Sequence, residues 1–143
     1  MSTADASRAA LRADGETILR KAIRAVLPDE AVRRALAGVQ FPGRVFLVAA
    51  GKAAWQMASV AHEALPALAG GVVVTKYGHA KGPIDGVACY EGAHPVPDEN
   101  GLRGTEAALA LTEGLRADDT VLFLLSGGGS ALFEQPLLPL GEL

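Results

Sequence analysis

Residues 44–52 read RVFLVAAGK, and this stretch is the clearest indication of the fold class. Its apolar run is continuous rather than alternating, which is typical of a strand buried on both faces of a parallel sheet. Similar but shorter runs occur at residues 72–75 (VVVT), 86–91 and 120–125 (TVLFLL). Gly51 and Lys52 follow the first run directly. The sequence therefore predicts parallel strands, the first of which ends at a glycine and a lysine.

Helical periodicity fills the segments between these runs. One amphipathic helix is predicted through about residue 27, and Pro28 can start a short second helix that ends near residue 37. A third helix follows Lys52, and a fourth is expected over residues 99–115. The apolar positions that define these helices are Leu11, Ile18, Leu19, Ala22, Ile23 and Val26, then Ala53, Met57, Val60, Ala61 and Ala64, and finally Ala108, Leu111 and Leu115.

Strands that alternate with helices indicate a three-layer α/β/α Rossmann-like domain with a mostly parallel sheet. The tail, residues 136–143 (PLLPLGEL), resembles the entry to another helix, at which the sequence ends. We therefore expect residues 1–143 to form the amino-terminal part of an incomplete domain. In open sheets of this class, ligands bind beyond the carboxyl ends of the strands.

Composition limits the classes of partner. The chain has 143 residues, of which 50% are hydrophobic, and a net charge of −3. It therefore has no basic surface of the kind that nucleic acids need. Cys89 is the only cysteine, so no internal disulfide can form, and no apolar run is long enough to span a membrane. We expect a cytoplasmic protein that has neither a nucleic acid nor a membrane as its partner.

The strongest candidate site is the glycine-rich segment 126–130, which reads SGGGS and follows the fourth predicted strand. Glycines at Gly127, Gly128 and Gly129 let successive backbone N–H groups converge on an anion. Ser126 and Ser130 can add hydroxyl hydrogen bonds. The alternative is a tight turn between strand and helix, although one or two glycines would serve for that.

Lys52 is the second candidate. It is not part of a Walker phosphate-binding loop, because Phe46 and Ala53 stand where that motif needs glycine and serine or threonine. A cation at the start of a helix is slightly unfavourable, which is easier to understand if it faces an anionic ligand. The alternative is that Lys52 is a solvated lysine on the protein surface and has no ligand.

The roles of several other polar residues are less clearly indicated by the sequence. His94 and Asp98 belong to a proline-stiffened loop, where Asp98 could bind a metal or accept a proton, or could simply cap the following helix. Lys76 and His79, in the segment TKYGH, could line the same edge or decorate an exposed loop. His62 and Cys89 fall within a predicted helix and strand, and structural roles are expected for both.

Four of these segments, in this order, resemble the amino-terminal domain of the type II glycerate kinases, the glycerate 2-kinases. Each motif is modest alone, but four collinear matches are specific. The histidine is preceded by Gly92 and Ala93, whereas the family commonly has alanine followed by glycine. The matches are GKAA at 51–54, VVTKYGHA at 73–80, AHPVPDE at 93–99 and LSGGGSAL at 125–132.

The resemblance implies transfer of the γ-phosphoryl group of ATP to the 2-hydroxyl of D-glycerate, with Mg²⁺, giving 2-phosphoglycerate. Lys52 matches the family's essential lysine. Segment 126–130 with Gly51 would bind a phosphate or the glycerate carboxylate, and His94 and Asp98 would serve substrate or metal. Members of the family also have a carboxy-terminal domain, and their active site lies between the two domains. We therefore expect this chain alone to be inactive.

Two other classes of function stay open. The chain could be a non-catalytic module that binds a small phosphorylated or carboxylated metabolite. It could also be an oxidoreductase of the hydroxypyruvate reductase type, since relatives of the family carry that name. The lack of a GxGxxG dinucleotide fingerprint argues against the second of these.

Overall fold

The computed structural model describes residues 3–65 and 67–142. Leu143, the last residue of the tail predicted to enter another helix, lies outside the described residues. The elements, in chain order, are α1 (Thr3–Val26), α2 (Pro28–Leu36), β1 (Val45–Ala50), α3 (Ala54–Ala64), β2 (Gly70–Lys76), β3 (Val87–Gly92), α4 (Glu99–Leu111), β4 (Thr120–Leu125), α5 (Gly129–Leu132) and a 3₁₀ turn (Leu140–Glu142).

The four strands form one parallel sheet in the order β3-β2-β1-β4. β1 lies between two neighbours, and all of its residues are buried, as its unbroken apolar run predicts. β3 is an edge strand, and its Ala88 and Cys89 are exposed. The prediction of a mostly parallel α/β/α domain is confirmed, and every strand ends at the same edge of the sheet.

Helices cover both faces of the sheet. α2 and α3 pack on one face, where Leu47 and Val73 are fully buried among small residues of α3. α4 and α5 pack on the other face, around Val74 and Leu132. Alanines in α3 let the helix backbone approach the sheet closely, which keeps the start of α3 beside the end of β1.

An ion pair joins β1 to β4 at the opposite edge. The Arg44 guanidinium donates from Nε to Asp119 Oδ1 at 3.0 Å, and its other nitrogen bonds the second carboxylate oxygen. Hydrogen bonding to Arg44 and to the Arg116 backbone N–H holds the pKa of Asp119 well below its usual range. The ion pair therefore helps to fix the register of β1 against the edge strand β4 where the two strands begin.

The predicted end of α4 is wrong. The predicted helix runs to Leu115, but α4 ends at Leu111, and Leu115 lies outside it and is exposed. The Thr112 hydroxyl donates to Leu109 O at 2.7 Å, and Gly114 takes a positive φ of 69°. Local side-chain bonding and a left-handed glycine therefore stop the helix, although the apolar spacing continues.

One smaller expectation needs correction. On the predicted inner face of α3, Val60 and Ala61 are buried as expected, but Ala64 is exposed, and Ala54 and Ala58 complete the buried stripe. Tertiary packing decides which face of the helix is covered, and sequence periodicity does not specify it. The tail forms a 3₁₀ turn over Leu140–Glu142.

Large apolar side chains remain uncovered on two elements. Every described side chain of α1 from Asp5 to Val26 is exposed, including Ile18 at 69% and Val26 at 82%. On β4, Phe123 and Leu125 are exposed at 47% and 61%. The predicted α1 is therefore present, but its apolar face has no core within the described chain.

Candidate functional site

Gly51 allows the chain to leave β1 and turn beside β4. Its φ of +111° is one that L side chains rarely adopt, and a β-carbon there would lie 2.5 Å from the Ser126 carbonyl oxygen. The Gly51 N–H donates to Val74 O at 3.1 Å, and its carbonyl accepts from the buried Thr75 hydroxyl at 2.9 Å. Only glycine fits between the ends of three neighbouring strands.

Hydrogen bonds join the β1–α3 loop to the β4–α5 loop. The Lys52 N–H donates to Gly127 O at 2.9 Å, and the Ser126 N–H donates to Ala50 O at 2.9 Å. The Ser126 Oγ accepts from the Ala53 N–H at 2.9 Å and donates to Ala50 O at 3.4 Å. The Ser126 hydroxyl is thus engaged inside the protein, and its bonds position the two loops against each other.

Lys52 and His94 converge on Gly128. A β-carbon placed on Gly128 would lie 2.8 Å from His94 Nε2 and 3.1 Å from Lys52 Cε. Gly128 has a φ of +85°, whereas Gly129 is buried at the start of α5. Three of the sequence-predicted segments therefore meet at one point, and the lysine lies on the same side of the sheet as the glycine-rich loop.

His79, which the sequence left undecided, lies beside Lys52. Its Nδ1 is 2.8 Å from the Lys52 carbonyl oxygen, so Nδ1 carries the proton in this contact. The Glu91 carboxylate accepts from the backbone N–H groups of His79 and Ala80 at 3.0 and 2.9 Å. Both backbone polar groups of Lys52 are thus held, while its side chain stays exposed.

Asp98 is the N-cap of α4. Its Oδ1 accepts from the Gly101 N–H at 3.0 Å, and its Oδ2 accepts from the Tyr77 hydroxyl at 2.7 Å. Burial by itself would raise the pKa of Asp98, but bonds from Tyr77 and from the Gly101, Ala93 and Asn100 N–H groups outweigh it and lower that pKa. Capping, one of the two interpretations of the sequence, describes this geometry. A ligand role stays a prediction.

The remaining candidates occupy less defined places. Ser130 and Gly127 are exposed at the loop surface, and α5 has only 4 residues. His62 lies in α3 and Cys89 in β3, as the sequence predicts. Burial raises the pKa of the Cys89 thiol, and the nearby Glu91 charge adds to that effect.

A cavity of about 280 Å³ opens next to Lys52, between α2, α3 and the loop after β2. Two of its polar side chains, Gln56 and Lys81, were not predicted as site residues, because no motif in the sequence contains them. Their proximity follows from the packing of α3 against that loop. The cavity is lined by Leu27, Pro28, Lys52, Ala53, Gln56, Gly78, His79 and Lys81.

Residues 3–65 and 67–142 contain no group of three or more His, Cys, Asp or Glu side chains that could hold a metal ion. Within the same ranges, no helix is both long and apolar enough to cross a membrane. At this edge of the sheet, Lys52 and His94 lie beside Gly128, while the carboxylates of Glu91 and Asp98 are bonded within the protein.

A parallel sheet covered by helices on both faces defines the class of Rossmann-like α/β domains. The chain belongs to a particular family of that class, the one described as "Domain of unknown function (DUF4147)", which it matches over residues 14–142.

Several proteins that are similar to this chain are named glycerate kinases. D-glycerate 2-kinase of Thermotoga maritima is 56% identical over 121 residues, which are 84% of this chain and 29% of that protein. A crystal structure of glycerate kinase from the same organism superposes with a TM-score of 0.82 at 51% identity, covering 93% of this chain and 33% of that one. The resemblance to the amino-terminal domain of these kinases is confirmed.

The chain spans about a third of the length of these relatives. Another relative, from Agrobacterium vitis, is provisionally named a hydroxypyruvate reductase. It is 44% identical over 95 residues, which are 66% of this chain and 22% of that protein. Names within the family therefore include both a kinase and a reductase.

Proposed function

We propose that this chain supplies one wall of an active site that transfers the γ-phosphoryl group of ATP to the 2-hydroxyl of D-glycerate. The product would be 2-phosphoglycerate. The other wall would come from a carboxy-terminal domain of the kind that the longer relatives have room for. The observation that carries the proposal is the convergence of Lys52 and His94 on Gly128 at the carboxyl edge of the sheet.

Lys52 would act as an electrostatic group. Phosphoryl transfer needs positioning and charge neutralisation more than covalent chemistry. The loop bonds to Gly127 O and from His79 fix the Lys52 backbone, so its ammonium can reach a phosphoryl oxygen without a large reorganisation. His94, with Nε2 beside Gly128, would donate a hydrogen bond to the same anion or to the glycerate.

The anion-binding edge would be formed by six residues, which are Gly51, Ser126, Gly127, Gly128, Gly129 and Ser130. In this proposal, Gly51 and Ser126 hold the loops together, while Gly128 keeps the space between Lys52 and His94 free of a side chain. Ser130, which is exposed, could donate its hydroxyl to a phosphate oxygen. The anion bound at this edge would be either an ATP phosphate or the glycerate carboxylate.

The described residues of this chain do not form a site for Mg²⁺. Mg²⁺ prefers carboxylate and phosphate oxygens, and both oxygens of Asp98 are already bonded within the protein. If the enzyme uses the ion, other groups would have to hold it, such as the ATP phosphates or the second domain.

A chimera tests the proposal. In it, residues 14–142 of this chain replace the matching segment of the Thermotoga maritima D-glycerate 2-kinase. We expect the chimera to form 2-phosphoglycerate from D-glycerate and ATP, and the 143-residue chain alone to show negligible turnover, because an open, solvated half-site is electrostatically weak. A folded chimera without kinase activity would contradict the proposal.

The name of the Agrobacterium relative supports a second candidate, reduction of hydroxypyruvate with a nicotinamide cofactor. The same chimera distinguishes the two. NADH oxidation that depends on hydroxypyruvate, at an enzymatic rate and without ATP turnover, would favour the reductase. We expect no such oxidation, because the sequence contains no dinucleotide-binding fingerprint.

A further inference from the structure

We propose that Lys81 binds the carboxylate of the hydroxy-acid substrate, in the cavity beside Lys52. The inference deepens the proposed function and rests on it. Lys81 is not part of the four motifs that carry the family resemblance. It directly follows Ala80, the last residue of the second motif. It is neither part of the Gly128 site nor explained by the packing of the core.

The charge of the cavity favours an anion. Lys52, His79 and Lys81 all line it, and none of the described residues that line it is a carboxylate. Lys52 and Lys81 therefore give the cavity two ammonium groups that an anionic ligand can contact.

Lys81 is held in place by its neighbours. Its Nζ donates to Gln56 Oε1 at 2.8 Å and lies 5.8 Å from the centre of the Trp55 ring. The Trp55 indole N–H in turn donates to Gly82 O at 2.8 Å, which fixes the ring against the loop that carries Lys81. An ammonium has three donors, so protons remain for a ligand oxygen.

Asp29 sets the orientation of Gln56. A carboxylate can only accept hydrogen bonds, and Asp29 Oδ1 accepts from Gln56 Nε2 at 2.9 Å. The other end of the amide, Oε1, must therefore point away from Asp29 and toward Lys81. The second oxygen of Asp29 is buried and has no hydrogen-bond partner among the described residues, so Gln56 is the side chain that bonds this carboxylate. Asp29 and Gln56 are positioning residues for the lysine.

A compact hydroxy acid fits the cavity. Its volume of about 280 Å³ is just below the roughly 300–1,000 Å³ of sites that enclose drug-sized ligands, so a three-carbon acid can contact several of its lining groups at once. Lys52 lines this cavity and also reaches the Gly128 position, so a carboxylate at Lys81 would leave the hydroxyl end of the acid near Lys52.

The test is a titration of the isotope-labelled 143-residue chain with sodium D-glycerate, followed by NMR. We expect saturable shifts at Lys81, Gly78 and His79. Lys81→Met should weaken the affinity about tenfold, the usual cost of a lost charge-assisted hydrogen bond. Lys81→Arg should restore most of it. Lys21→Met, which removes the same charge from exposed α1, is the matched control and should stay within about twofold.

Two further probes identify the bound group. Glycerol lacks the carboxylate and should give no saturable shifts at Lys81. Inorganic phosphate should bind less tightly than D-glycerate at this position. Tighter Lys81-dependent binding of phosphate, or equal binding of glycerol, would overturn the carboxylate assignment.

Equal affinities of the Lys81→Met and Lys21→Met chains for D-glycerate would overturn the proposal as a whole. A native-like amide spectrum for each variant shows that the fold is intact. The kinase assay of the chimera is independent of this titration. An active chimera with no role for Lys81 in binding would refute only the inference, whereas Lys81-dependent binding with an inactive chimera would refute only the proposed function.

Discussion

At the scale of single residues, Gly128 combines two requirements in one position. Its backbone is left-handed, and its missing side chain leaves room for Lys52 and His94. Gly114 has a similar φ of +69° but nothing within 4 Å of a β-carbon, so it has the first requirement without the second. The two glycines therefore separate backbone strain from the geometry of the site.

We expect Gly128→Ala and Gly114→Ala each to lower the free energy of unfolding by roughly 1–2 kcal/mol, the cost of a left-handed L residue. Gly128→Ala should also displace Lys52 or His94 and lower the turnover of the chimera, whereas Gly114→Ala should not. Urea denaturation and steady-state kinetics measure the two effects. Equal turnover in both variants would show that the space at Gly128 is unimportant.

The pKa of Asp98 predicts a pH dependence of stability. Because the pKa is lower in the folded chain than in the unfolded chain, the charged carboxylate stabilises the fold at neutral pH. That contribution is lost as the pH falls below about 4 and through the lowered folded pKa. Asn at this position still caps the helix but carries no charge.

We therefore expect Asp98→Asn to be less stable than the wild-type chain at pH 7, with a difference that narrows as the solution is acidified. Asp98→Ala should lose the cap as well, at a further cost of about 1 kcal/mol. Urea midpoints of the three proteins along a pH series measure this. A constant difference between Asp98→Asn and wild type would contradict the assignment.

At the scale of elements, α1 and β1 represent opposite extremes. β1 is completely buried between two parallel partners, whereas the side chains of α1 from Asp5 to Val26 are exposed. Helices without a packed face gain little beyond their intrinsic propensity, and most helix stability in proteins comes from tertiary packing. The two elements should therefore open with very different free energies.

Amide hydrogen exchange of the 143-residue chain, followed by mass spectrometry at a concentration too low for self-association, tests this difference. We expect the amides of α1 to exchange through local fraying, close to the rates of a marginal peptide helix. Amides of β1 should exchange only through global unfolding. Protection of α1 as high as that of β1 in the dilute chain would contradict the expectation.

The same comparison shows what the sequence could predict about elements. The unbroken apolar run of residues 45–50 identified β1, and Gly51 with Lys52 marked its end. The end of α4 was wrong, because Thr112 and Gly114 stop the helix through local bonds that an apolar period at Leu115 does not reveal. Periodicity identifies a helix, while its boundary depends on side-chain chemistry.

Some residues of the candidate site were also predictable from the sequence, whereas others were not. Motifs in sequence indicated Lys52, His94 and Gly128, since each follows a strand that ends at the same edge. Lys81 was not identifiable, because its place depends on Gln56, whose side chain reaches it across 25 positions of the chain. Convergence at strand ends follows from topology, whereas contacts between a helix and a distant loop require the packed structure.

At the scale of the whole molecule, exposed apolar surface should make the chain associate with itself. Leu11, Ile18 and Ile23 of α1 are exposed at 70%, 69% and 53%, and Phe123 and Leu125 are also exposed. Contiguous apolar surface of this kind favours association in water.

We expect the sedimentation coefficient to rise with concentration in the micromolar range. Replacing Leu11, Ile18 and Ile23 by Gln should reduce this rise, whereas Glu16→Gln on the same helix should leave it unchanged. Analytical ultracentrifugation measures both. A compact monomer at every concentration would contradict the expectation.

The ammonium of Lys52 at the glycine-rich edge is the feature on which the proposed kinase function depends most. The most direct measurement is the kcat/KM of the chimera for D-glycerate, with Lys52 and with Lys52→Ala, and with Lys21→Ala as the control. We expect Lys52→Ala to lower kcat/KM by about 10²–10³-fold, as when a preorganised group that stabilises transition-state charge is removed, and Lys21→Ala to leave it unchanged. Normal turnover of a folded Lys52→Ala chimera would contradict the account.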